Sequence, residues 1–352
     1  MFNSISLDKI YQYLLISLAF LFPLTVFGGN TVVVIISFLW LFSVDYRSKF
    51  NLIISSRLLI ASIIFFSLHL LGLLWTDNIA WGLHIVHKMW YFLLFFPILF
   101  TIVQKKYIKY YISAFLISIS LTEIVSYLIW FEFITPFKNA RVPLNTFINP
   151  TPFMSHISYN PILAFAIYLV CHEIFLNKKI SQTKFLWFIF FAITMSINMF
   201  ITGGRAGQVM YFAVIGILIL QYFDTNRIKA IFAILVLIPT IFTAAYQFSP
   251  LFHDRVNSAI NDIVIYDEDR ATSVGKRITF AINAFQTAQN NLLIGVGTGD
   301  FPDEYKKINQ INSPELRNIE NPHNMYSLIL GQLGTIGIFS LLSIFYYQIK
   351  LS

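Results

Sequence analysis

Ten apolar stretches, at about 10–27, 31–44, 57–75, 82–103, 109–131, 155–174, 184–202, 207–223, 229–247 and 325–347, leave little of this chain to form anything else. A hydrocarbon core about 30 Å thick takes roughly 20 helical residues to cross, and most of these stretches approach that length. The pattern predicts an all-α polytopic membrane protein with ten spans. Tight breaks are expected at Phe27-Gly28-Gly29-Asn30 and at Gly203-Gly204. Composition agrees. Hydrophobic residues make up 57% of the chain and charged residues 12%, where soluble domains average about 45–50% and about 25%. A cytosolic enzyme, a disordered chain and a nucleic-acid module are excluded.

The net charge of +7 comes from 24 Lys and Arg against 17 Asp and Glu, and its placement gives orientation. With the N-terminus in the cytoplasm, the inner connections hold Arg47 and Lys49, then Lys105, Lys106 and Lys109, then Lys178, Lys179 and Lys184, then Arg227 and Lys229, with Lys350 at the end. The short outer connections hold little beyond Lys138 and Arg141. This is the positive-inside distribution, so the excess charge reports topology and not a nucleic-acid partner. The first apolar run lacks a small-residue cleavage site and is followed by a second, so a cleaved signal peptide is not expected. The single cysteine, Cys171, forbids an internal disulfide, and the seven histidines show no HxxxH or HExxH spacing, so no metal site is expected.

Two outer segments depart from a plain bundle. Residues 132–154 contain Pro136, Pro143, Pro150 and Pro152, all helix breakers. Residues 248–324 carry ten acids and seven bases, far more than a simple connection needs. Within them, 276–289 has helical periodicity, with Ile278, Ala281, Ile282 and Phe285 on one face, which predicts a packed outer helix. The chain is read as an N-terminal part, 1–150, and a second part, 151–352, with 248–324 its large outer loop.

Candidate chemistry gathers on the outer side. Arg205 follows Gly203-Gly204, where small residues let a backbone approach closely and a guanidinium can meet a phosphate; the plainer reading is interfacial snorkelling. Lys276 and Arg277 follow Ser273-Val274-Gly275 at a helix start, a place suited to an oxyanion; because cations there oppose the helix dipole, an anion should compensate them. A solvated charge pair is the plain alternative. Gly295-Val296-Gly297-Thr298-Gly299 resembles a glycine-rich turn but lacks the Lys-Ser/Thr of a phosphate-binding loop, and a tight structural turn explains it equally. His323-Asn324 precedes the last span; a histidine there can take a proton from an acceptor hydroxyl near neutral pH, or be structural. His156 opens the sixth span on the same side. Lys88, with His84 and His87, shares one face of the fourth span and can meet a lipid phosphate. Glu123 lies mid-span, where a carboxyl is costly and faces the protein interior, as a proton-pathway group or a helix-to-helix hydrogen bond.

In that order and spacing, Gly203-Gly204-Arg205, the long outer loop, Ser273-Val274-Gly275-Lys276-Arg277, Gly295-Val296-Gly297 and His323-Asn324, followed by a span containing Gly331, Gly334 and Gly337, resemble the O-antigen ligase and polymerase superfamily. These are polytopic bacterial enzymes that use glycans carried on undecaprenyl pyrophosphate. The resemblance is clearest over about 150–347; residues 1–130 share only hydropathy with the family. It implies a GT-C-like, metal-independent, inverting glycosyltransferase of the bacterial inner membrane that works at the periplasmic face without a cofactor. Arg205 and Arg277 match the family's arginines that neutralise the pyrophosphate, and His323 matches the histidine that activates the acceptor. Lys276, Asn324, His156, Gly295, Gly297 and Lys88 are the expected substrate-binding residues. Family members generally continue through a further span or more, so either the chain continues beyond Lys350-Leu351-Ser352 or this member has a reduced end.

The expected reaction is transfer of O-antigen to a sugar hydroxyl of lipid A–core. O-antigen polymerase, extending a lipid-linked glycan, and O-linked protein glycosylation are the enzymatic alternatives. A lipid-linked glycan transporter is the non-enzymatic one, and it would predict repeated architecture with coupling groups near the midplane.

Overall fold

The computed structural model describes residues 6–43, 45–137, 145–289 and 291–351. Lys138, Arg141 and Pro143 lie outside the described residues. The chain opens with α1 (Leu7–Leu21), α2 (Val26–Leu41), α3 (Tyr46–Ser55) and α4 (Arg57–Leu71), which ends in a 3-10 turn, Gly72–Trp75. Next come α5 (Ile79–Lys88), a π-helical turn (Tyr91–Phe95), α6 (Phe96–Ile102), α7 (Ile108–Trp130) and α8 (His156–Leu176). α9 (Gln182–Ile201), α10 (Arg205–Tyr222) and α11 (Arg227–Phe248) follow, then α12 (Pro250–Val264), α13 (Ser273–Gln289), α14 (Phe301–Asn312) and α15 (Met325–Leu351). Polar caps set several of these boundaries. Ser56, Asn78, Ser181 and Asn226 each accept a hydrogen bond from the amide three residues on, satisfying donors that a helix start leaves free.

All ten expected apolar stretches are helical, but they are not ten equal spans. Among the described residues eight segments are long and apolar enough to cross a membrane: Arg57–Trp75, Ile79–Ile102, Lys105–Trp130, His156–Leu176, Gln182–Ile201, Arg205–Tyr222, Arg227–Phe248 and Met325–Leu351. The architecture is all-α and polytopic. α1 and α2, with 15 and 16 residues, fall short. Their break also differs from expectation. It falls at Phe22–Thr25, around Pro23, whereas Gly28 and Gly29 lie inside α2. Proline lacks the amide a helix needs, while glycine is tolerated in apolar helices.

The chain divides into two compact units: unit 1 is Met1–Val34 with Gln104–Ser258, and unit 2 is Ile35–Val103 with Ala259–Ser352. Unit 1 is built around α8, whose Tyr159, Leu163 and Ile167 pack with Ile119 of α7 and Met195 and Met199 of α9, all fully buried. Close approach of α8 and α10 depends on Gly207: a Cβ there would stand 2.2 Å from Asn160 Cβ.

The main core of unit 2 joins Leu58 and Phe65 of α4, Ile85 of α5, and Ile329 and Leu341 of α15. A smaller cluster, Phe280, Ala284, Phe301, Tyr305, Leu316, Ile319 and Leu328, holds α13 and α14 against α15. Burial pushes the Tyr305 hydroxyl above its ordinary pKa.

α15 is interrupted at Gly334, whose φ of 62° and ψ of −158° are not helical. The orphaned backbone groups at this break are met by the segment before α14. Val296 and Gly297 donate to the carbonyls of Gly331 and Gln332, at 2.9 and 3.0 Å, while Thr335 and Ile336 donate to those of Leu292 and Leu293, at 2.9 and 3.3 Å. Two broken helical ends are thereby satisfied by one short, turn-containing segment of chain. Gly295 and Gly297 carry φ of 72° and 112° within that segment, a region where a side chain is strained.

Candidate functional site

In unit 2 the candidates collect where α13 begins and where α15 begins. The spacing that predicted a helix over 276–289 holds, but the buried face is not the expected one. α13 buries Gly275, Thr279, Phe280, Asn283, Ala284, Thr287 and Ala288, leaving Ile282 and Phe285 45% and 50% exposed. The reason is polar pairing that hydropathy does not register. Asn283 Nδ2 donates to Asn309 Oδ1 and Ser313 Oγ at 3.2 and 2.9 Å, and Asn312 Nδ2 donates to Asn283 Oδ1 at 3.0 Å.

Lys276 and Arg277 stand exposed in the first turn of α13. The main-chain amides ahead of them are already engaged: Val274 N–H donates to Asp262 Oδ2 at 3.1 Å, and Gly275 N–H to Thr272 Oγ1 at 3.0 Å. Asp262 thus places a carboxylate at the positive end of the helix. What this end offers a ligand is side-chain charge, not free N–H groups.

His323 is exposed and adopts a left-handed φ of 57°, a conformation open to histidine at some cost. Its amide donates to Asn321 Oδ1 at 2.8 Å, and its ring lies 6.3 Å from that of Phe280. Phe280 is one turn after Arg277 on α13, so the structure brings His323 to the same end of that helix as Arg277. Asn324 caps α15: its Oδ1 accepts from Tyr326 and Ser327 N–H at 3.0 and 3.3 Å.

Gly295 and Gly297 serve packing. A Cβ on Gly295 would stand 2.4 Å from the Gln332 carbonyl, and one on Gly297 2.5 Å from Thr76 Oγ1. Their amides donate to the Asn291 and Gln332 carbonyls. Lys88, exposed at the end of α5, lays its Nζ 5.6 Å from the centre of the Trp81 ring, back toward the helix start. Asp300 fixes the α5 entrance, its carboxylate accepting from Asp77 and Asn78 N–H at 2.9 and 2.8 Å.

In unit 1 the break between α9 and α10 falls at the expected Gly203-Gly204, and Arg205 opens α10 half-buried. His156 opens α8 beside it. One side chain joins the two: Asn149 Oδ1 accepts from Gly203 N–H at 2.8 Å, and Asn149 Nδ2 meets His156 Nδ1 at 3.3 Å. Below the turn, buried polar groups continue downward. Thr202 Oγ1 donates to Asn160 Oδ1 at 3.0 Å, Tyr159 Oη to Asn198 Oδ1 at 2.9 Å, and Asn198 Nδ2 to Ser126 Oγ at 2.9 Å. Glu123, only 1% exposed, lies within electrostatic reach of Tyr127 and Tyr159.

An apolar cavity of about 1100 Å³ opens along the same unit, lined among others by Cys171, Phe175, Ile193, Tyr211, Phe248 and Leu251. Among the described residues no three His, Cys, Asp or Glu side chains cluster as metal ligands would.

Two residues at the unit 1 turn escaped the sequence reading. Asn149 sits between helix breakers, where an asparagine reads as turn chemistry. Arg255 follows Asp254 in sequence and reads as half of a solvated pair. Instead its Nη2 lies 3.5 Å from where a Cβ on Gly203 would stand.

Fold and composition define a polytopic α-helical membrane protein. A family model described as O-antigen ligase matches residues 190–342, which contain Arg205, Arg277 and His323. That match supports the superfamily resemblance over this part of the chain and, in general terms, an enzyme acting on lipid-linked glycans. No curated protein matches the sequence.

Proposed function

We propose that this protein is a GT-C-like glycosyltransferase that moves an O-antigen glycan from undecaprenyl pyrophosphate to a hydroxyl of lipid A–core, at the periplasmic face of a bacterial inner membrane. The observation that carries the reading is the family match over 190–342, because it spans all three residues whose chemistry the reaction requires. The acceptor oxygen attacks the anomeric carbon as the bond from that carbon to the pyrophosphate oxygen breaks, which inverts the centre. His323 takes the hydroxyl proton. Arg205 and Arg277 neutralise charge that grows on the departing pyrophosphate, and preorganised cations are effective in that role. The donor is already activated, so neither metal nor cofactor is called for. Lys276, Lys88 and His156 contact the substrates, and Asn324 holds the α15 entrance next to His323. Gly295 and Gly297 act on the site only by shaping the chain around it.

The test is transfer from a defined undecaprenyl-pyrophosphate glycan, in EDTA, with lipid A–core, protein and lipid-linked glycan offered separately. His323→Ala should lower transfer to lipid A–core by about 10²–10⁴-fold and Arg277→Ala by about 10²–10³-fold. Removing both Arg205 and Arg277 should cost less than the product of the single losses, since both act on one leaving group. Elongation of the lipid-linked glycan would make the protein a polymerase, and transfer to protein an O-linked oligosaccharyltransferase. Movement of the donor across the bilayer without any transfer would make it a transporter.

A further inference from the structure

The ten residues of α3, Tyr46–Ser55, form neither a membrane span nor a packed connection. At about 1.5 Å per residue a helix of this length covers about 15 Å, half of a hydrocarbon core about 30 Å thick, and none of its residues is buried. Its pattern is two-sided. With about 3.6 residues per turn, Tyr46, Phe50, Ile53 and Ile54 share one face, Lys49 and Arg47 border that face on either side, and Ser48, Asn51 and Ser55 lie opposite. Leu52 is the one apolar residue off the face. Phe50 is 61% exposed, and Tyr46 and Ile54 are about half exposed.

Both ends of the helix are held at the boundary of the bilayer. Only Ser56, which caps α4, separates it from the membrane-spanning segment Arg57–Trp75. At its start the Tyr46 ring meets that of Trp40 edge-on at 6.3 Å, and Trp40 Nε1 donates to Thr101 Oγ1 at 2.9 Å, which fixes the end of α2 to the end of α6. Lys49 turns inward, its Nζ 5.2 Å from the centre of the Trp40 ring and donating to Ser43 Oγ. The half-buried Lys49 and Ile53 mark the side turned to the rest of unit 2, so Phe50 and Ile54 face outward.

The outward side also carries charge of one sign. Arg47 borders Phe50 and Ile54, and Arg57 follows the helix; both are exposed, and among the described residues no ion pair engages either. Asp45 is the only carboxylate between 45 and 57. An apolar face flanked by cations, with a polar face opposite, is the pattern of a helix that lies in the plane of a membrane interface, and anionic lipid complements its charge.

We propose that α3 is an interfacial helix that docks on anionic phospholipid, in the leaflet expected to face the cytoplasm. Phe50 and Ile54 enter the layer between headgroups and acyl chains, and Arg47 and Arg57 meet the phosphates. This surface does not depend on the glycosyl transfer proposed above.

The test attaches bimane to Phe50→Cys, or to Ile54→Cys should the first not fold, and separately to Ser55→Cys, in the full-length protein. Each is placed in phosphatidylcholine nanodiscs containing either phosphatidylglycerol or phosphatidylcholine with a nitroxide near the headgroup. Cys171 is buried, and labelled parent protein corrects for it. The probe at position 50 should be quenched by nitroxide lipid and protected from aqueous iodide, and the probe at position 55 should show the reverse. Nitroxide phosphatidylglycerol should quench position 50 more than nitroxide phosphatidylcholine does. Arg47→Gln should lower that preference by about fivefold, the value of one cation at an anionic surface. Iodide reaching both positions would put α3 off the bilayer, and shielding of position 50 from iodide and lipid alike would mean that protein covers it, a second copy included. Equal quenching by the two lipids would remove the anionic headgroup. Stronger quenching by a nitroxide at the chain end would sink α3 into the hydrocarbon as part of a broken span. Each of these four results overturns the proposal.

Discussion

The two units hold their polar turns by different means. In unit 1 the turn between α9 and α10 is fastened by side chains: Asn149 grips Gly203, and Thr202, Asn160, Asn198 and Tyr159 continue the hydrogen bonding into the helices. In unit 2 the break in α15 is fastened by main chain, with four backbone bonds to the strip around Leu292–Gly297 and positive φ at Gly295, Gly297 and Gly334. Side-chain fastening can fail one bond at a time, whereas main-chain fastening fails through geometry. The second kind therefore tolerates substitution least.

The largest effect is expected at the unit 2 break. A Cβ on Gly334 would stand 2.4 Å from the carbonyl carbon and oxygen of Leu293, with φ at 62°. A β-branched residue adds conformational strain of about 1–3 kcal/mol to an overlap with backbone that cannot move aside. Gly334→Val should abolish recovery of monodisperse protein in size-exclusion chromatography. Recovery at the parental yield would mean the break is not built as described.

Within unit 1 the comparison sharpens to neighbours. A Cβ on Gly207 would overlap Asn160, Cβ at 2.2 Å and carbonyl carbon at 2.4 Å, and would push α8 from α10. One on Gly203 would meet Arg255 and Asn149 at 3.5 and 3.6 Å, ordinary contact distances. Gly207→Ala should destabilise the protein by about 1–3 kcal/mol, as overpacking does, and lower its melting midpoint clearly, while Gly203→Ala leaves the midpoint near the parent. Equal loss at both positions would show that the turn is governed by backbone conformation, as in unit 2, and erase the contrast.

Asn198 tests the side-chain fastening directly. Replacing it with Ala removes the acceptor for Tyr159, a hydroxyl on a fully buried ring. Leaving that group unpaired costs about 1–3 kcal/mol. Ser126 loses less, because its hydroxyl still donates to the Pro150 carbonyl at 2.5 Å. Thermal melting in detergent measures the loss, and Asn198→Asp, which keeps an acceptor, should recover part of it.

How far the sequence reveals this molecule follows the same division. Long apolar runs report helices directly, and the break at Gly203-Gly204 is visible because α9 and α10 are apolar right up to it. Gly28-Gly29 looks identical on that criterion, yet the turn lies around Pro23 and both glycines are inside α2, so hydropathy and glycine pairs alone do not locate a break. Arg277 and His323 were legible as motif residues. That His323 lies beside Phe280, three residues after Arg277 on α13, was not. Arg255 left no signal, since a charge beside Asp254 reads as solvated until the fold carries it over Gly203.

The face of α13 separates hydropathy from packing most cleanly, and it carries the smallest expected effect. Ile282 and Phe285 stand about half exposed, whereas Ala284 is fully buried between Phe280 and the polar pairs made by Asn283. An exposed substitution that breaks no partner usually moves stability within about 0.5 kcal/mol, so Phe285→Ser should melt almost as the parent does. Ala284→Leu should be destabilised by about 1–3 kcal/mol, because the added atoms have no room beside α14 and α15. Were the order reversed, α13 would be turned with its apolar stripe inward, as its sequence pattern alone implies. Lys276 and Arg277 would then face differently as well, and the placement of Arg277 relative to His323 would have to be drawn again.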